Sequence, residues 1–285
     1  MLFAPKASMM LSEGMKRWVM KRMILMLGLA GVLLLPGSAL RAQLAPPNEM
    51  GVRMGHLHLN VRDMQANESL FETLGGIPAP KLGDNVVIKF PGVLILLRQM
   101  DSSGGSVGTV VNHVGFHVPN VAQSMAKWKA AGVKTEDGRN AQQGFVTTPD
   151  GLRMEIQEDA TMTAPIALYH VHFFVDQAAI PGMQAWYAKT FGGKPGKNGN
   201  FQADDVPGVN LSFAASPTAT APTKGRALDH IGFEITNLEA FCKKLEASGV
   251  KFDRPYGKNP NGLGIAFITD PWGTYIELNE GLDKL

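Results

Sequence analysis

Asp270-Pro271-Trp272-Gly273-Thr274-Tyr275-Ile276-Glu277-Leu278 is the stretch whose reading decides the fold. Asp-Pro with a Gly two residues on suits a chain reversal, and Tyr-Ile-Glu-Leu suits a half-buried strand. A Glu pointing into a core is costly unless a charge or a metal meets it. The same turn and strand stand earlier in the chain as Thr148-Pro149-Asp150-Gly151-Leu152-Arg153-Met154-Glu155-Ile156, with the same Gly-to-Glu spacing. A repeated motif with a repeated inward carboxylate marks a candidate site.

Outward from these strands the chain repeats itself roughly every 57 to 60 residues. Four segments open alike: Gly55-His56-Leu57-His58-Leu59, Asn112-His113-Val114-Gly115-Phe116, Tyr169-His170-Val171-His172-Phe173 and Asp229-His230-Ile231-Gly232-Phe233. Each carries a His in the same register of an alternating, strand-like run, and each is followed by a helix-like stretch. Asp63 is placed to cap the first helix, which ends at Leu74-Gly75-Gly76. The other helices end before Gly192, Gly132 and Gly249, where Gly is the expected stop. Three strand-like runs then close each unit. In the closing strands Gly92 leads to Leu96, Gly151 to Glu155, Gly208 to Ser212 and Gly273 to Glu277, so only the second and fourth units hold the carboxylate.

Taken in chain order, these units make two pairs, linked by residues 159–166. One pair supplies His56, His113 and Glu155, the other His170, His230 and Glu277. A single strand His in a core is more often a hydrogen-bonded structural residue than a ligand. Four in one register, joined by two glutamates in one register, point to metal binding, and two imidazoles with one carboxylate leave open positions suited to a divalent Fe, Mn or Zn ion. His172 and His58, two residues beyond the proposed ligands, face the same side of their strands, and His172 is the candidate catalytic base. His117 belongs to the second unit alone and reads as a rim or surface residue.

Composition narrows the class. The formal charge of +2 with no basic stripe argues against nucleic-acid binding. The single cysteine, Cys242, excludes an intramolecular disulfide and a Cys-rich metal site. Lys16, Arg17, Lys21 and Arg22 precede an apolar run from Met23 to Leu35, broken by Pro36-Gly37-Ser38. At about 13 residues the run is short of the ~20 that span a bilayer. It reads as a signal peptide, with an upstream extension before Met15, in an exported periplasmic or extracellular protein with no stable membrane insertion after cleavage; an uncleaved membrane anchor is the alternative.

Four βαβββ-like units, a His near the start of each and a closing Pro-x-Gly-x-x-x-Glu strand resemble the vicinal oxygen chelate superfamily, which includes glyoxalase I, bleomycin-resistance proteins and type I extradiol dioxygenases. The resemblance covers residues 52 to 282. It implies an α+β chain of four βαβββ units in two tandem domains with curved, partly closed mixed sheets, preceded by the signal peptide. The divisions are 1–42 for signal and extension, 52–158 for the N-terminal domain and 166–282 for the C-terminal domain. Glyoxalase-like members take ligands from the closing strands of both units, where this chain has Leu96 and Ser212. The remaining two-His, one-Glu set is similar to that of the extradiol dioxygenases, whose live pair maps onto His170, His230 and Glu277. Phe267 and Phe145 stand where that resemblance places a Tyr, and no His lies among Arg254 to Gly264.

The expected function is therefore a metal-dependent enzyme, most like an extradiol-type dioxygenase, acting on a small molecule with adjacent oxygens. A binding protein of the bleomycin-resistance kind and a glyoxalase-like lyase or isomerase are the alternatives. Its partners are a small-molecule substrate or ligand and, for a homo-oligomer, a second copy of the chain.

Overall fold

Every unit begins with a strand whose neighbours on either side differ, and this decides the architecture. The computed structural model describes residues 44–260 and 262–284. The first unit runs β1 (Val52–Val61), α1 (Met64–Leu74), β2 (Ile77–Leu82), β3 (Asn85–Phe90) and β4 (Val93–Gln99). The second runs β5 (Val111–Val118), α2 (Val121–Ala130), β6 (Thr135–Asp137), β7 (Gln143–Thr147) and β8 (Arg153–Glu158). The third runs β9 (Ala167–Val175), α3 (Ile180–Phe191), β10 (Lys194–Asn198), β11 (Phe201–Val206) and β12 (Val209–Ala215). The fourth runs β13 (Leu228–Ile235), α4 (Leu238–Ala247), β14 (Phe252–Lys258), β15 (Gly264–Thr269) and β16 (Tyr275–Glu280).

Local chemistry sets the helix ends. The Asp63 carboxylate accepts from Ala66 N at 3.0 Å, Asn120 from Gln123 N at 2.8 Å and Asn237 from Ala240 N at 3.2 Å, each satisfying an otherwise orphaned helix donor. α1 stops at Gly75, whose φ of +113 only glycine adopts freely.

Two eight-stranded mixed sheets result. The first has the order β14-β15-β16-β13-β1-β4-β3-β2 and the second β10-β11-β12-β9-β5-β8-β7-β6. β1 pairs antiparallel with β13, and β5 with β9. The first unit thus shares a sheet with the fourth, and the second with the third. The sheet partners are not the consecutive units of 52–158 and 166–282, and residues 159–166 connect strands within the second sheet. The crossings between sheets are made by residues 100–110 and 216–227, which run side by side: Ser103 N donates to Gly225 O at 2.8 Å, Val110 N to Ala221 O at 2.9 Å and Ala227 N to Gly104 O at 2.9 Å.

The expectation of curved, partly closed sheets is also corrected. Each strand order is open, with β14 and β2 at the ends of one sheet and β10 and β6 at the ends of the other, and no pairing joins those ends. Lys- and Pro-containing outer strands such as Ile77–Leu82 and Lys194–Asn198 are poor partners for closure. The expected signal peptide lies outside the described residues. Among the described residues, no helix is long and apolar enough to cross a membrane.

Consecutive units do meet, but through their helix-bearing sides. Phe90 of the first unit packs edge-on against Phe116 of the second, with centroids 5.6 Å apart, and Phe191 of the third stacks on Phe233 of the fourth at 4.4 Å. One apolar core therefore lies between the sheets. Two buried polar latches cross it. Asn67 on α1 donates to Asp150 in the closing turn of the second unit at 2.9 Å, and the Tyr187 hydroxyl on α3 donates to Asp270 in the closing turn of the fourth at 2.8 Å. The Asp of the turn that opened the sequence reading is thus a bolt between sheets. It also accepts from Trp272 N and Thr274 N, holding the reversal with Gly273 at φ +102.

Candidate metal centres

The opposite faces of the sheets, away from the core, carry the histidines. In the first sheet the register sets His58 across from His230, His56 across from Gly232, and Gly232 across from Glu277. His56, His58, His230 and Glu277 are buried, and each offers a ligand atom within 4.8 Å of the others. One Glu277 oxygen, Oε2, lies 2.7 Å from His230 Nε2 and 3.2 Å from His56 Nε2, while Oε1 accepts from Asn279 Nδ2 at 2.7 Å. In the second sheet His113, Glu155, His170 and His172 form the matching group. There Glu155 Oε2 lies 3.0 Å from His113 Nε2 and 3.2 Å from His170 Nε2.

All six predicted ligands therefore fall in clusters, divided differently from the chain-order pairs. His170 is not beside His230 and Glu277; it joins His113 and Glu155, and His56 takes its place. The reason is the pairing of β1 with β13 and of β9 with β5. His172, predicted as the base of the His230–Glu277 set, lies in the second centre with Nδ1 3.1 Å from His113 Nε2, and His58 occupies the corresponding place in the first. His117 joins neither cluster; its ring stacks on Tyr169 at 3.8 Å.

The clusters fit a divalent metal. His56 Nδ1, His58 Nδ1, His170 Nδ1 and His172 Nε2 are buried without a hydrogen-bond partner, and a cation bound among the converging ring nitrogens and the carboxylate would relieve part of that cost. Burial holds His56, His58 and His170 below the ordinary imidazole pKa and His172 at about 3, so these rings are neutral and carry a lone pair. Burial alone would raise the Glu277 pKa, but the His56 and His230 imidazoles against it hold it well below the usual carboxylate range. Burial likewise opposes ionisation of Glu155, and hydrogen bonds from His113, His170, Gln157 and Gln143 reverse it.

Residues that the sequence reading passed over distinguish the centres. His230 Nδ1 lies 2.6 Å from Asp229 Oδ1, and Asp229 Oδ2 is held by Gly225 N at 2.6 Å and Asn60 Nδ2 at 3.3 Å. Burial lowers the His230 pKa, yet Asp229 and Glu277 outweigh it and the imidazole ends above its ordinary value. In the second centre the neutral Asn112 stands there, 3.0 Å from His113 Nδ1. A carboxylate behind a ligating imidazole fixes its tautomer and strengthens it as a donor. The polar residue before each His in the second and fourth units was the available signal.

The surroundings differ more. Above the first centre opens a cavity of about 620 Å³ that reaches His58, His230 and Glu277 between apolar walls including Leu96, Leu263 and Phe267. Near the second, polar side chains bond to one another. Tyr169 donates to Asn198 at 2.6 Å, Asn198 to Ser212 at 2.9 Å and Ser212 to Asn210 at 2.7 Å, and the Phe201 ring covers His172 at 4.7 Å. Gln157 and Gln143 both donate to Glu155 Oε1, with Gln157 at 2.8 Å.

The comparisons with known proteins agree with this architecture. Residues 167–278 match the family described as Glyoxalase/Bleomycin resistance protein/Dioxygenase superfamily. Glyoxalase I from Zea mays is similar in structure, with 18% identity, a TM-score of 0.66, and coverage of 82% of this chain and 94% of that one. An inferred dioxygenase of Bacillus subtilis subsp. subtilis str. 168 is similar with 15% identity and a TM-score of 0.64, covering 84% of this chain and 86% of that one. At these identities the likeness speaks for the fold alone. Among curated proteins none matches the sequence. Residues 167–278 thus match the glyoxalase/bleomycin resistance protein/dioxygenase superfamily, and the described chain as a whole shares the fold of these solved structures, built as two sheets.

Proposed function

We propose that the chain is a metal-dependent enzyme of dioxygenase type, that His56, His230 and Glu277 hold its divalent metal, and that its substrate is a small molecule with two adjacent oxygens. The observation that carries this reading is the first centre, where His58, His230 and Glu277 line a cavity of about 620 Å³ and His56 lies buried beside Glu277. Leu96, across from His58 on the neighbouring strand, stands where a fourth carboxylate would come in a four-ligand site, so positions stay free for oxygen atoms of substrate. A metal bound there supplies Lewis acidity to adjacent oxygens and, as Fe or Mn, a route to oxygen chemistry. The chain's own contributions are local. Asp229 holds the tautomer of His230, Asn279 orients Glu277, and His58 lines the open side, where it can exchange a proton with a bound hydroxyl.

The second centre supports a different reading, a metal-holding site without turnover, because Glu155 Oε1 already accepts hydrogen bonds from Gln143 and Gln157.

Metal content by elemental mass spectrometry, for wild type, Glu277→Gln and Glu155→Gln, tests the assignment together with oxygen uptake on catechol by Fe(II)-loaded protein. Oxygen uptake that disappears with Glu277→Gln and survives Glu155→Gln is expected. A wild type that takes up no metal on reconstitution overturns the proposal.

A further inference from the structure

The cavity over the first centre holds more positive charge than its ligand set requires. Arg98 near the end of β4, Lys224 on the crossing segment and Arg254 on β14 reach its wall from three separate elements. The arginine ion pairs among the described residues are made by Arg53, Arg62 and Arg153, leaving the Arg98 and Arg254 guanidinium groups without a carboxylate. Lys224 Nζ lies 4.3 Å from the centre of the Tyr275 ring, and that ring is 5.6 Å from the ring of His230. Of the acids in the same wall, Glu277 is committed to His56, His230 and Asn279, and Asp229 to His230, Asn60 and Gly225. Asp84, exposed on the turn between β2 and β3, is the acid left over against three cations.

The second sheet provides an internal control, since its strands follow the same register. Arg98 pairs across from Asn60, two residues beyond His58; two residues beyond His172, Phe174 pairs across from Ala214. Arg254 pairs across from Phe267, whereas Phe145 has Glu136 across from it. Lys224 precedes Asp229 by the same interval as Val107 precedes Asn112. The three cationic positions of the first centre are therefore alanine, glutamate and valine at the second. Fold geometry alone does not call for them, and they occur where a cavity reaches the candidate ligands.

We infer that the substrate of the first centre is an organic anion, an apolar body bearing the adjacent oxygens and a carboxylate that Arg98, Lys224 and Arg254 bind. The inference rests on the metal-site reading above and narrows it. The metal end would receive the adjacent oxygens, the walls at Leu96, Leu263 and Phe267 the apolar body, and the guanidinium groups would donate paired N–H bonds to the carboxylate.

The test is calorimetric binding of 3,4-dihydroxybenzoate and of catechol to Zn(II)-loaded full chain, with metal content measured on the same samples. A preference on the order of tenfold or more for the carboxylated probe is expected, falling as salt rises. Arg98→Gln, Lys224→Gln and Arg254→Gln together, all at exposed positions, should abolish the preference while leaving metal content and catechol affinity unchanged. Equal binding of the probes, binding of neither, or a preference that survives the triple variant overturns the inference. A wild type without metal removes the metal reading by itself, and the same preference measured on metal-free protein then still decides for or against the anion pocket.

Discussion

Gly232 lies so close to the imidazole of His56 that a Cβ built on it would fall 2.0 Å from His56 Cε1. Gly115 stands to His170 in the same way, at 2.2 Å. The His-x-Gly strands of the second and fourth units and the His-x-His strands of the first and third are therefore complementary, glycine making room for the partner strand's first imidazole.

Gly232→Ala should displace His56 and weaken metal binding at the first centre at least about tenfold without replacing a ligand, with an overpacking cost of about 1–3 kcal/mol. Gly115→Ala should do the same at the second centre only. Gly257→Ala on β14, where nothing lies within 4 Å of the added Cβ, is the control. Metal content and thermal melts of the three variants read the outcome, and a full metal complement in Gly232→Ala would refute the packing argument.

Asp229→Asn keeps the hydrogen bond to His230 Nδ1 and removes the charge behind it. A loss of about 10–100-fold in metal affinity at the first centre is expected. Asn112→Asp should tighten the second centre in return. Competition with a chromogenic chelator measures both, and equal affinities in wild type and Asp229→Asn would show the carboxylate to be idle.

The Tyr187 hydroxyl bonds to Asp270 across the intersheet core, with both residues buried. Tyr187→Phe leaves the shape and deletes the donor, so a destabilisation of about 1–3 kcal/mol is expected in denaturant unfolding, with metal content unchanged. A variant as stable as wild type would show that the turn's own amides suffice for Asp270.

Asp204 is fully buried, and neither carboxylate oxygen has a hydrogen-bond partner. Burial raises its pKa from 3.8 to about 7. The folded chain therefore keeps a proton that the unfolded chain loses, and stability drains away as pH rises from about 4 through about 7. Asp204→Asn should raise the Tm at pH 8 by roughly 2–6 °C and change it little at pH 4. An equal shift at both pH values would exclude the carboxyl as the cause.

The four units were legible because each repeats its signals locally: the strand His, the capped helix, the Gly-to-Glu closing strand. Which units share a sheet was not. A His-x-His strand fits a His-x-Gly strand equally well in chain order, first with second, or as observed, first with fourth. The connectors of either arrangement are long enough. The six candidate residues therefore fall in the two clusters but in a different grouping, with His172 in the second centre and His58 in the corresponding place of the first. The difference between the centres was written in the register all along, as Leu82, Leu94 and Leu96 in one sheet against Asn198, Asn210 and Ser212 in the other, but it gains meaning only once the strands are laid side by side.

The pairing of β1 with β13 also imposes an order on biosynthesis. Strands β5 to β12 emerge in sequence and can complete the second sheet while the chain is still being made. β1, made first among the strands, must wait for β13, with its edge exposed to pairing with other chains. His56 and Glu277 meet only after nearly the whole chain has been translated, so a prematurely terminated product could hold a metal at the second centre but never assemble the first.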